Sequence, residues 1–320
     1  MTARRIVAVL CLVTAYASSI ARGGTLYLVS ERAAPNGSIG KYDSTTGAAI
    51  NASFLTGLSQ PHSLAFTPDL SHFYVTNFTT SVRKYTYSGT LMSGSYFPGI
   101  VPGSGITTDP ATGDVFVVNN GGSPQWLNKF NADGTVVSNN FANVSTSPDG
   151  VMIDGTAALV VCWASSAVGK YLATGTGGPS ATINASYITN SGVGTWRPFN
   201  IAKDSVGNYY VTGNDRVSKF AANGSVISQN FISFTGAYGL AIDENDNIFV
   251  GAYSGSTVGK YSSSGAVINA SFITGVPNVT SIVIEPVVVP EPSTMALAGV
   301  ASVGLWLVLR RKRLCPGSRA

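Results

Sequence analysis

The chain has 320 residues, with only 11% charged side chains and 36 glycines, where soluble proteins average roughly 25% charged and ~7% glycine. That mix excludes a coiled coil or a helical bundle and favours many short strands joined by glycine turns. The formal charge of +4 sits at the ends: seven of the 19 basic residues are Arg4, Arg5, Arg310, Arg311, Lys312, Arg313 and Arg319. Residues 22–289 keep 12 basic and 14 acidic side chains, so the body has no electrostatic footprint for nucleic acid.

Arg4 and Arg5 precede the apolar run Ile6 to Val13 and then small residues. This is the layout of a secretory signal over residues 1–21. Ala15-Tyr16-Ala17 and Ser19-Ile20-Ala21 both suit cleavage. Once that leader and the C-terminal segment are set aside, Cys162 is the only cysteine left. An intrachain disulfide is therefore impossible in residues 22–286, and about 265 residues must be held by their core. Cys162 lies in the apolar stretch Leu159-Val160-Val161-Cys162-Trp163 and is expected to be a buried small hydrophobe.

Residues 22–286 repeat themselves. Lys41-Tyr42, Lys84-Tyr85, Lys129-Phe130, Lys170-Tyr171, Lys219-Phe220 and Lys260-Tyr261 recur at spacings of 43, 45, 41, 49 and 41 residues. After each comes a glycine turn and a segment ending in an aromatic, such as Asn51-Ala52-Ser53-Phe54 or Asn269-Ala270-Ser271-Phe272. An apolar strand follows (Ser63 to Phe66, Gly239 to Ile242), then an acidic turn, then a β-rich strand (Phe73 to Thr76, Ile248 to Val250). Four strands in ~44 residues is the period of a β-propeller blade, and six periods predict six blades. The chain enters at Leu26 to Val29, in second-strand phase, and leaves at Ser281 to Ile284, in first-strand phase. Both termini should therefore build the last blade and close the ring. The unit Ala237 to Val250 resembles the strand-turn-strand repeats of NHL and streptogramin-lyase-like propellers. That resemblance specifies a fold better than an activity.

Residues 287–320 carry a different signal. Pro290-Glu291-Pro292 leads into the apolar run Met295 to Leu309, and Arg310-Arg311-Lys312-Arg313 follows. As a helix the run would be ~22 Å long, and its basic end would stay cytoplasmic. This order resembles the PEP-CTERM sorting signal. The resemblance implies a transmembrane helix that anchors the protein until an exosortase-type enzyme processes it, and delivery to the cell surface or extracellular matrix.

Acids after the first strand of five blades (Asp109, Asp154, Asp204, Asp243, Glu285) are expected to serve turns rather than metal. Neither metal nor cofactor is expected. The repeated lysines should be structural, with their stems along strands. A specific site is expected instead where a repeating frame diverges. First strands begin with His62, Ser104, Asp149, Phe199, Tyr238 and Thr280; second strands end at Glu31, Asn77, Asn119, Trp163, Asn214 and Tyr253. Of these, His62, Asn77, Asn119, Asp149, Trp163, Phe199, Asn214, Tyr238 and Tyr253 form the candidate ligand site. Aromatics with amides suit a neutral polar ligand such as an extracellular polysaccharide. His62, alone beside no evident nucleophile, makes no triad. The sequence thus points to a non-catalytic binding or structural protein of the cell surface. The competing reading is a lyase or lactonase at the channel mouth.

Overall fold

The computed structural model describes residues 24–286, apart from 34, 79–80, 98, 101–102, 122–123 and 190–195. The expected export signal and sorting segment lie outside the described residues. Twenty-four strands follow one another in chain order. They are β1 (Thr25–Ser30), β2 (Gly37–Asp43) and β3 (Ala49–Leu58); β4 (Pro61–Phe66), β5 (His72–Asn77), β6 (Arg83–Thr86) and β7 (Leu91–Ser93); and β8 (Gly103–Thr108), β9 (Val115–Asn119), β10 (Gln125–Phe130) and β11 (Val136–Val144). Then come β12 (Pro148–Asp154), β13 (Ala157–Cys162), β14 (Ala167–Leu172) and β15 (Thr182–Thr189); β16 (Pro198–Lys203), β17 (Tyr209–Gly213), β18 (Arg216–Phe220) and β19 (Val226–Ser233); and β20 (Ala237–Ile242), β21 (Ile248–Ala252), β22 (Thr257–Tyr261), β23 (Val267–Thr274) and β24 (Val279–Ile284).

These strands form six four-stranded antiparallel sheets, five of them consecutive meanders. The exception joins the two ends in the order β24-β1-β2-β3, and this closing blade sets Leu26 opposite Ile284 and Leu28 opposite Ile282 in register. Innermost strands touch around a complete ring: β24 meets β4, then β8, β12, β16, β20 and β24 again. The fold is therefore an all-β six-bladed propeller, as the repeat period required.

Second strands are buried on both faces. Leu26, Tyr27, Leu28 and Val29 are all 0% exposed, which is why they read as unbroken apolar runs rather than alternating ones. Outer strands reverse this: Val267, Ile268, Asn269, Ala270 and Ser271 of β23 are all exposed. In β3, β15 and β23 the repeated asparagine accepts the N–H of the serine two residues on (Asn51 from Ser53, Asn184 from Ser186, Asn269 from Ser271). That is the Asx-turn chemistry expected of those positions.

The repeated lysines have a more definite role than stems laid along strands. Each is directly opposite a second-strand residue: Lys41 faces Tyr27, Lys129 faces Phe116 and Lys260 faces Phe249. Its ammonium lies over that ring and over an outer-strand ring. Lys41 Nζ is 4.8 Å from Tyr27 and 3.6 Å from Phe54; Lys260 Nζ is 5.2 Å from Phe249 and 5.0 Å from Phe272. The lysine is thus a cation–π clamp across three strands. In the fourth blade Leu159 faces Lys170, leaving one ring, Tyr187 at 4.5 Å. Two clamps also bind the next blade: Lys129 donates to the Ala173 carbonyl (3.0 Å) and Lys260 to that of Ser44 (2.7 Å).

Turn chemistry explains three of the five repeated acids. Asp109, Asp204 and Asp243 accept backbone N–H groups of their own turns. Asp154 instead holds Lys203 and Tyr209 of the next blade, and Glu285 accepts from Tyr87 (2.5 Å) and Tyr27 (3.5 Å).

Candidate functional site

His62, Ser104, Asp149, Phe199, Tyr238 and Thr280 are each the second residue of an innermost strand. Each lies in a β-bulge. The register skips His62 between Pro61 and Ser63, Tyr238 between Ala237 and Gly239, and Thr280 opposite Val29/Ser30. The same two-against-one step spans Ser104, Asp149 and Phe199. A bulge frees one side chain from the pleat and re-aims it, so six side chains converge on the axis at one mouth.

Hydroxyls tie the bulges together. Ser104 Oγ donates to the Pro148 carbonyl (2.8 Å), Thr212 Oγ1 to that of Tyr238 (2.6 Å) and Thr280 Oγ1 to that of His62 (2.8 Å). Glycine makes the approach possible: a Cβ on Gly105 would stand 2.3 Å from the Asp149 carbonyl oxygen.

Three of the six, on alternate blades, form a closed polar triangle. Asp149 Oδ1 is 3.0 Å from His62 Nε2, Tyr238 donates its hydroxyl to Asp149 Oδ2 at 2.5 Å, and the Tyr238 oxygen is 3.1 Å from His62 Nε2. Since the tyrosine proton is committed to Asp149, His62 Nε2 must carry its own proton. Burial opposes the imidazolium, but the Asp149 carboxylate and Glu31 outweigh it and hold the His62 pKa above its usual value. Burial and then Asp149 push the Tyr238 phenol far up, so it stays protonated.

Above the triangle opens a cavity of about 430 Å³. Its walls include Phe78, Phe199, Tyr238 and Tyr253, with Glu31, Asn214, Arg197 and Asp215 among its polar groups. Three rings form a ladder: Phe199 stacks on Tyr238 (4.3 Å, 12°) and Tyr238 on Tyr253 (5.2 Å, 29°). Glu31 Oε2 stands 3.9 Å from His62 Nε2. Burial raises the Glu31 pKa, the nearby His62 lowers it and Asp149 raises it, with a net upward shift.

The expected site residues divide. Phe199, Asn214, Tyr238 and Tyr253 line the cavity, with His62 and Asp149 forming the buried triangle below it. Asn77, Asn119 and Trp163 are not among the lining residues. Asn77 is fully buried and donates to the Val75 and Ser81 carbonyls. Asn119 Oδ1 accepts the Trp126 N–H (2.8 Å). Trp163 carries the Arg197 guanidinium 5.7 Å over its ring. Phe78, Arg197 and Asp215 belong to the cavity and escaped the sequence reading. Each sits one residue beside a position that was singled out or begins a strand, so widening those positions by one would have found them.

No characterised protein matches the chain by sequence. Solved structures share its fold. A Bacteroides caccae protein of unknown function superposes at TM-score 0.60 with 15% identity, covering 81% of this chain and 98% of that one. A functionally unknown protein from Desulfotomaculum acetoxidans gives 0.57 and 16%, over 80% and 88%. A Xanthomonas campestris gluconolactonase gives 0.53 and 13%, over 70% and 82%. At such identities the likeness is one of fold alone. Residues 288–313 match the PEP-CTERM protein-sorting motif, which implies an exported, surface-sorted protein with a C-terminal membrane anchor, recognised by an exosortase-type processing enzyme.

Proposed function

We propose that the protein is a non-catalytic binding module of the cell surface or its extracellular polysaccharide matrix, taking a saccharide at the channel mouth. The ring ladder Phe199–Tyr238–Tyr253 carries this reading. Near-parallel rings at the edge of a cavity suit the apolar face of a sugar, and Asn214 beside them supplies an amide for its hydroxyls. The sorting motif would place such a module where polysaccharide is met.

The polar triangle supports binding over catalysis. His62 is 3% exposed, and its Nε2 is engaged by Asp149 and Tyr238. A general base must reach the proton it takes, directly or through one water, and this imidazole is turned to its neighbours instead. The gluconolactonase-like fold keeps a lactonase as the rival reading. Retention on matrix polysaccharide by residues 22–286 separates the two. Tyr253→Ala should weaken it at least tenfold with no turnover of sugar lactones in either form. Lactone turnover that vanishes with Asp149→Asn or on chelation would overturn the binding reading.

A further inference from the structure

The cavity contains a carboxylate held only by one long ion pair. Glu31 leaves the end of β1, and its backbone N–H is held by the Asn278 carbonyl at 3.0 Å. Its carboxylate makes no hydrogen bond among the described residues. The side chain is only 11% exposed, and its nearest charge is His62 Nε2 at 3.9 Å, beyond hydrogen-bond reach.

His62 is not dedicated to it. That imidazole already sits 3.0 Å from Asp149 Oδ1. Two carboxylates, Glu31 and Asp149, thus share one buried cation. Around Glu31 the other facing groups are Tyr238 of β20 and Tyr253 just after β21, both phenols held neutral by raised pKa values. The cavity adds Asp215 and Arg197, one charge of each sign. Arg197 rests its guanidinium on Trp163. The mouth is therefore short of one positive charge. Tyr238 is covered by Phe199 and Tyr253, so the electron-rich faces left to a cation are those of Phe78 and the outer ring Tyr253.

We propose that the ligand supplies that charge: the cavity recognises a protonated amine seated against Glu31 beside the rings of Phe78 and Tyr253. This rests on the saccharide reading and narrows it to a polysaccharide whose sugars carry free amines. Without ligand, Glu31 can relieve the deficit by taking a proton, as its raised pKa indicates. Ligand and proton then compete for one carboxylate.

Calorimetry on the purified protein with three probes tests this: a glucosamine oligomer, its fully N-acetylated counterpart and a neutral glucose oligomer of equal length. The amine oligomer should bind at least tenfold tighter than the acetylated one. Glu31→Gln should erase that preference, so that the amine and acetylated oligomers bind alike. A thermal melt of the variant beside the parent separates lost preference from lost fold. Equal affinity for all three sugars, weakened by Tyr253→Ala, would overturn the amine site and leave the saccharide reading standing. A preference that survives Glu31→Gln would also overturn it. Binding of none of the three would sink both readings.

Discussion

Replacing Lys260 by methionine keeps the stem and removes the charge of one cation–π clamp. Lys260 is 8% exposed, lies 5.2 and 5.0 Å from two ring centroids and donates to the Ser44 carbonyl at 2.7 Å. Desolvated cation–π contacts contribute up to ~2 kcal/mol, and a hydrogen bond to a charged group about 1.5–3 kcal/mol. Freeing a buried ammonium from its desolvation penalty offsets part of this, leaving a net loss of about 2–3 kcal/mol. In a domain of this size 1 kcal/mol moves the Tm by roughly 2–4 °C, so Lys260→Met should melt about 5–10 °C lower. Lys170→Met is the internal control. Its ammonium meets one ring and, among the described residues, donates to no next-blade carbonyl, and a single contact of that kind away from the core contributes ~0.5–1 kcal/mol. Scanning calorimetry on both variants decides the matter. Equal melting points, or a Lys260→Met variant as stable as the parent, would refute the clamp as a stabilising device.

Deleting Thr25–Ser30 removes the second strand of the closing blade with four fully buried apolar residues; cooperative unfolding should be lost, and an unchanged melt would deny ring closure. His62 has a pKa raised in the fold from its ordinary 6.5. Its stabilisation is therefore complete below the unfolded value and fades as pH rises through the folded one. Denaturant titrations across pH should show that slope in the parent and lack it in His62→Gln; a persisting slope would place it elsewhere. Burial pushes the Cys162 thiol up to about 12, so thiol reagents should label it only on unfolding, and rapid labelling of native protein would contradict its environment. Alanines in place of Pro290-Glu291-Pro292 should leave the protein exported but held in the inner membrane, and normal processing of that variant would favour a plain anchor.

Blade number, strand phase and closure were all legible, because each is a periodicity of one residue type against its neighbours in sequence. The axial ring was legible too, as positions that diverge within that period. What those positions do together was not. His62 looks solitary in sequence because Asp149 and Tyr238 stand 87 and 176 residues away in alternate blades. Only the bulges, which a sequence pattern does not display, turn all three inward. The lysine clamp escaped for a similar reason. Its two rings come from the strands on either side, so no single segment shows an aromatic cage. Asn77 and Asn119 pose the opposite difficulty. An amide at a strand end serves a ligand or its own turn equally well by residue type, and here the next turn takes it.

The closing blade sets an order on events. Five blades are local meanders whose strands lie within a few residues of their partners, and such elements form early. Pairing β1 with β24 must instead gather segments some 250 residues apart (Leu26 with Ile284), and loop closure over that span is slow even though its entropy grows only logarithmically. Until then the chain is an open arc, with the β1 edge unpaired and the His62 carbonyl still waiting for Thr280. The mouth is therefore assembled last. A chain in which Thr280 holds the His62 carbonyl is one whose folding has finished, and the axial mouth doubles as a certificate of completion.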